Sequence, residues 1–218
     1  MTSENSDSRQ SWQLLEAVPE TSYRRLVVKA SNETDRHLAA FYAEAAERLA
    51  GTFKGQPADD MILLPFLTLY RQAYELELKS IIRDWTRLRR ELADANDPFL
   101  DRENVNKRLR LKHRHNLDAL LAEARSHFNE LDERFDLRAE FPEQVVRVIG
   151  LLHEADESGT TFRYVSDHHP SQEERIDFPN LVRMLKQAFD ILGAVEDYVD
   201  SVMEGVRDAL GEMERNMP

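Results

Sequence analysis

Leu64–Leu92 reads LPFLTLYRQAYELELKSIIRDWTRLRREL, and the spacing of its apolar residues decides the fold. Leu64, Leu67, Tyr74, Leu78, Ile81, Trp85, Leu88 and Leu92 follow one another at steps of three and four, with one beat missing at Arg71. That period is the inward stripe of an amphipathic helix. The gap therefore places a permanent cation at a core-facing position. Glu75 and Lys79 follow at four-residue steps, close enough on a helix surface to touch it in series. A buried charge is costly unless it is paired. The Arg71–Glu75–Lys79 ladder thus calls for partners from elsewhere in the chain, either as a structural network or as the floor of a site.

Working outward, the stripe extends into a long central helix over 60–92, opened at Asp59 or Asp60, with Pro65 near its first turn. A second long helix is expected over 179–213. Its seam (Leu181, Leu185, Ala188, Leu192, Val195, Val199, Val202, Val206, Ala209, Met213) never breaks the three-four rhythm. It either packs along the central helix or reaches past the bundle to a second copy. Shorter helices are expected from about Asn32 (capped by Ser31 or Asn32) to Gly51, over Asn104–Leu111, from His115-Asn116 onward, and from Phe141-Pro142-Glu143 to Ser158-Gly159. Thr160–Val165 alternates and is β-prone, so with Glu174–Phe178 it predicts a small hairpin. The fold class is all-α: a bundle of four to six helices with two long helices and a β-hairpin insertion. Residues 1–19 read as a disordered or loosely docked N-terminus and 20–214 as one domain.

Composition bounds the function. The 218 residues carry a net charge of -12, which opposes general nucleic-acid binding. The charge is uneven, however. Six basic residues (Arg102, Lys107, Arg108, Arg110, Lys112, Arg114) stand against Glu103 alone between positions 102 and 114, with His113 and His115 embedded. Between Asp190 and Arg215, eight acids face two arginines. These are either two solvated faces that attract one another or, for the first, a phosphate-contacting strip formed by Arg108, Lys112 and Arg114. The chain has no cysteine, which excludes disulfides and thiolate metal sites. Neither a membrane span nor a secretory leader is expected, and a cytoplasmic location follows. No Glu-x-x-His pair, His-Glu-x-x-His, phosphate-cradling glycine loop or nucleophile elbow occurs, so no metal and no cofactor is expected. His168-His169 reads as an exposed loop pair rather than a metal site.

Arg71-Gln-Ala-Tyr-Glu75-Leu-Glu-Leu-Lys79, followed by His115-Asn-Leu117-Asp-Ala-Leu120-Leu121, resembles the core of HEPN-type helical domains, and Phe162-Arg163-Tyr164 is similar to a segment some of them carry before the last helix. The resemblance implies a homodimeric helical bundle in a prokaryotic defence or toxin–antitoxin system. Such a bundle contacts RNA or a protein partner (an antitoxin or defence subunit). Catalytic members are metal-independent endoribonucleases in which an arginine precedes a histidine with four to six residues between them. Arg108/His113, Arg110/His115, Arg108/His115, Arg147/His153, Arg163/His168 and Arg163/His169 all meet that spacing. The residues after these arginines are Leu109, Leu111, Val148 and Tyr164, not the polar residue often found there. On this reading the catalytic residues are His115 with Arg110 or Arg163. Arg71, Glu75, Lys79 and Tyr164 line a polar pocket that Arg163 also enters. The alternative is a non-catalytic adaptor whose ladder fixes helix register and whose acidic last helix binds a basic partner.

Overall fold

A computed structural model describes residues 34–163 and 175–216, with the side chains of Arg163 and Glu214 left out. Six α-helices run through these residues: α1 (Asp35–Ala50), α2 (Leu63–Leu92), α3 (Arg102–Arg108), α4 (Leu117–Phe135), α5 (Glu143–Ala155) and α6 (Phe178–Asn216). The all-α class holds.

α2 is the axis of the bundle. Its stripe is wider than a single seam, because Phe66, Tyr70, Tyr74, Leu78, Ile81, Ile82, Trp85 and Leu88 are all buried. An apolar surface that wide needs neighbours on several sides. α1 runs antiparallel to it, with Asp35 bonded to Arg83 at one end and Glu47 to the Tyr70 hydroxyl at the other. α6 runs parallel. Phe178 packs edge-on against Phe66 at 5.0 Å, the Tyr74 hydroxyl donates to the Leu185 carbonyl at 2.7 Å, and Arg207 meets Glu91 at 2.5 Å. α4 is also parallel, setting Phe128 5.8 Å from Trp85. α5 returns antiparallel from Phe141, which packs on Phe128 at 5.6 Å, to Asp156 beside Arg71.

The helix ends follow local chemistry. α1 starts at Thr34, whose hydroxyl accepts from the His37 amide, rather than at Ser31 or Asn32. The Asp59 carboxylate accepts from the amides of Lys54 and Gln56, so it ties down the preceding loop and the 3₁₀ turn Pro57–Ile62, and α2 begins only at Leu63. Asn116 caps α4 as expected, its side chain accepting from Ala119 N at 2.8 Å. Pro142 stands at the cap position of α5. The short helix expected over 104–111 is instead α3 followed by one π-turn, Leu109–His113.

The expected hairpin is a correction. Thr161–Arg163 is a 3₁₀ turn, residues 175–177 have no regular structure, and no strand occurs among the described residues. The Thr161 amide donates to the Asp156 carboxylate at 2.8 Å instead of to a neighbouring strand, and Phe162 is buried as an anchor. Residues 164–174, the middle of that expectation, lie outside the described residues, as do 1–33.

α6 packs along α2 through Met203, which is fully buried, to the Arg207–Glu91 pair, and beyond that its seam is exposed. Ala209 is exposed, Leu210 is 43% exposed and Met213 is 62% exposed. The regular seam therefore continues for about three turns beyond the core.

Candidate functional site

The missing beat of the stripe is filled by a clamp between three parts of the chain. Arg71 is only 4% exposed. Its Nη1 donates to Glu75 Oε2 at 3.2 Å, its Nη2 to the His115 carbonyl at 2.6 Å, and its Nε approaches Asp156 Oδ2 at 2.9 Å. Nε and Nη2 also reach the Asp156 carbonyl at 3.4 and 3.3 Å. Glu75 accepts from Lys79 at 2.6 Å and meets His115 Nδ1 at 3.0 Å. Two cations face two carboxylates, the arrangement in which buried charge is tolerable.

Each partner is held by its own local geometry. His115 follows a π-turn in which the Arg114 amide reaches back to the Leu109 carbonyl at 2.9 Å. Arg114 then takes φ 51°, a left-handed conformation that is costly for any residue but glycine. That kink turns the His115 carbonyl to Arg71 and its ring to Glu75. Asp156 ends α5 and is 1% exposed; with Oδ1 on the Thr161 amide and Oδ2 on Arg71, both carboxylate oxygens are engaged. Gly159 has φ 76°, and a Cβ there would stand 3.0 Å from Arg71 Nη1 and Nη2. Any side chain here is strained by the backbone and must push the Arg71 guanidinium aside, so glycine suits the position.

The clamp dictates the histidine's tautomer. A carboxylate already bonded to two cations only accepts, so Nδ1 carries the proton toward Glu75. The other nitrogen, Nε2, is then the acceptor of the neutral ring, on a side chain that is 54% exposed. An imidazole oriented by a carboxylate with its far nitrogen open to solvent can accept or return a proton.

Lys79 links this network to an open groove of about 910 Å³ between α2 and α3. Arg83, Arg102, Lys107 and Arg110 also line it. Arg83 is paired with Asp35, and Lys79 with Glu75. Arg102, Lys107 and Arg110 have no carboxylate partner among the described residues, although Asp35, Asp101 and Glu103 border the same groove.

The other expected residues divide. Arg108 is not open to a phosphate: it grips Glu123 through Nε (3.0 Å) and Nη2 (2.6 Å) and lies 3.7 Å over the Phe99 ring. Lys112 and Arg114 are exposed. Arg110 reaches the groove, while Arg147 and His153 sit apart on α5. The Arg163 side chain, Tyr164 and His168-His169 lie outside the described residues. Asp156, which sequence reasoning did not single out, serves as Arg71's second carboxylate.

Two further polar clusters were not anticipated. Glu123 on α4 gathers Arg108, His113 and His127, and Arg89 on α2 bonds His127 Nδ1 at 2.8 Å. Arginine only donates, so His127 Nδ1 accepts and its proton sits on Nε2, toward Glu123. Burial would raise the Glu123 carboxyl, but bonds from His127, Arg108 and His113 outweigh it and hold the group well below the usual carboxylate range. The i, i+4 pair Glu123/His127 was the available signal. On the opposite side of α2, Glu77 and Glu196 are buried together, with Arg36 Nε 2.9 Å from Glu196 as the nearest cation. Burial, then the charge of Glu77, push Glu196 up to about 8, and burial raises Glu77 as well.

Among the described residues no cluster of side chains fits a metal ion, and no helix is long and apolar enough to cross a membrane. Set against protein-family models, curated proteins and solved structures, the chain matches none.

Proposed function

We propose that this protein is a HEPN-like helical bundle of a prokaryotic defence or toxin–antitoxin system that binds RNA along the α2–α3 groove. On this reading His115 is the proton-transferring group of a metal-independent endoribonuclease. The observation that carries it is the juxtaposition at Lys79. On one side stands a groove with three cations that no carboxylate among the described residues neutralises; on the other stands a carboxylate-oriented histidine with its far nitrogen open. Phosphates supply the missing counter-charge, and the acidic remainder of the chain confines them to that strip. His115 Nε2 takes the proton of a 2′-hydroxyl, whose oxygen attacks the adjacent phosphorus and forms a 2′,3′-cyclic phosphate. The bond to the 5′-oxygen breaks, that oxygen leaves with a proton from water, and His115 returns its own proton to solvent. Arg110, unpaired in the groove, stabilises the charge that builds on the phosphoryl oxygens; Arg163 is the other arginine assigned to that role.

Binding is the first test. Labelled single-stranded RNA should bind with an affinity that falls steeply as salt rises. Replacing Arg102, Lys107 and Arg110 by alanine should flatten the log–log slope by about 0.7 for each phosphate no longer neutralised. Salt-insensitive binding, or a triple variant that binds like the parent, refutes the groove.

A second reading has its own observation. The end of α6 carries Val206, Leu210 and Met213 on one side and Glu204, Asp208 and Glu212 among its acids, and its apolar members are half-buried or exposed. In that reading the chain is an adaptor, and α6 joins it to a second copy or to a basic protein partner. Sedimentation of the parent beside Leu210→Ser/Met213→Ser tests the joining to a second copy: an assembly that dissociates in the variant supports it, and an unchanged monomer removes it.

A further inference from the structure

Beyond Arg83, Arg102 and Asn106, which border both spaces, the basic groove gives way to a second cavity of about 560 Å³. That volume is within the roughly 300–1,000 Å³ typical of small-molecule sites. Its lining includes Thr86, Leu100 and Val105, all buried, together with the exposed Ala95. Its arginines are answered by acids: Arg83 by Asp35, Arg87 by Asp84 at 3.1 Å, and Arg90 by Asp101 at 2.8 Å. Arg102 alone among them has no carboxylate among the described residues, and it stands where the two spaces meet.

The two chambers differ in their charge. One is more open and holds unneutralised cations; the other sets Ala95, Leu100 and Val105 among six charged side chains, of which Arg102 alone has no ion-pair partner among the described residues. A polyphosphate finds its free counter-charge in the first, whereas in the second three of four arginines are already paired and an uncharged ring can lie against the apolar side chains and the guanidinium planes. A nucleotide has both parts, joined at the distance of one sugar. We infer that the cavity lined by Ala95, Leu100 and Val105 is a subsite for one unstacked nucleobase of an RNA strand whose phosphates lie in the adjoining groove, with Arg102 bridging the two. This rests on the RNA reading above and adds a substrate class to it. A duplex keeps its bases stacked inside, so only a single strand, loop or end can supply the ring. Arginine planes and apolar walls receive any base face, so the subsite selects strandedness more than sequence.

Fluorescence anisotropy with three probes of equal phosphate number tests it: oligoadenylate, a duplex RNA of half its length, and an abasic ribose-phosphate strand of its full length. Oligoadenylate should bind roughly ten- to hundred-fold more tightly than the abasic strand, the range expected for stacking one base. Ala95→Leu, an exposed position, should remove that preference while leaving abasic binding and helical circular dichroism unchanged. A 4-thiouridine strand should photocrosslink within residues 86–105. Equal binding of all three probes with the expected salt dependence overturns the subsite and leaves the groove standing. An Ala95→Leu variant that keeps the full preference also overturns it. Failure of every probe to bind overturns subsite and groove together.

Discussion

Arg71→Met removes the cation at the centre of the clamp while keeping a side chain of similar reach. The cost can be worked from what remains. Glu75 retains Lys79 at 2.6 Å and His115 at 3.0 Å, so its charge stays answered. Among the described residues Asp156 then keeps the Thr161 amide alone, at 2.8 Å, and at 1% exposure solvent cannot replace the guanidinium. Removing one partner of a buried ion pair costs about 3–5 kcal/mol, against about 0–1 kcal/mol for a surface pair. For a chain of this size each kcal/mol lowers Tm by about 2–4 °C, so the fall should be roughly 6–20 °C. Adding Asp156→Asn keeps an acceptor for Thr161 but withdraws the orphaned charge. The double variant should therefore be more stable than Arg71→Met alone, with a coupling of about 0.5–3 kcal/mol. Urea and thermal unfolding followed by circular dichroism measure both. A single variant within about 1 kcal/mol of the parent refutes the buried clamp. So does a double variant no better than the single.

Other outcomes follow from the same structure. Gly159→Ala puts a methyl against the Arg71 guanidinium at a left-handed position and should lower stability by more than the about 1 kcal/mol of conformational strain alone; a neutral result in urea unfolding contradicts the close approach. Glu196 is raised from an ordinary value near 4.5 to about 8, so the folded state holds a proton that the unfolded state releases. Its contribution is complete below pH 4.5 and lost as pH rises toward 8, and Glu196→Gln should flatten that decline in a pH series of melting curves. Glu123 is shifted the other way, so its contribution is present above the ordinary carboxylate value of 4.5 and lost as pH falls below it. Glu123→Gln should destabilise at neutral pH by about 3–5 kcal/mol, with less effect in acid.

What the sequence made legible was whatever periodicity and capping encode. The stripe of α2, the seam of α6, the Asn116 cap and the Pro142 start of α5 are written in local spacing, and so was the misfit at Arg71. Its partner Asp156 was not, because Glu154, Asp156 and Glu157 look alike in sequence and only the turn to Thr161 brings one of them inward. Arg108 and Arg110 are equally basic and two positions apart, yet one faces α4 and is taken by Glu123 while the other lines the groove. Two residues along a helix is half a turn, and nothing local says which side the next helix will cover. The alternation in Thr160–Val165 suggested a strand, but Phe162 is used as a single buried anchor and the backbone bonds to a side chain instead. The carboxyl pair Glu77/Glu196 joins helices more than a hundred residues apart and has no sequence signature at all.

The most direct measurement compares RNA turnover by the parent and by His115→Ala under conditions where both bind the strand equally. A Glu75-oriented imidazole acting as general base predicts a loss of about 10²- to 10⁴-fold, with 2′,3′-cyclic phosphate ends from the parent and unchanged helical circular dichroism. Equal cleavage by the two proteins, or none by the parent, would contradict it and leave Glu75 and His115 as structural cement.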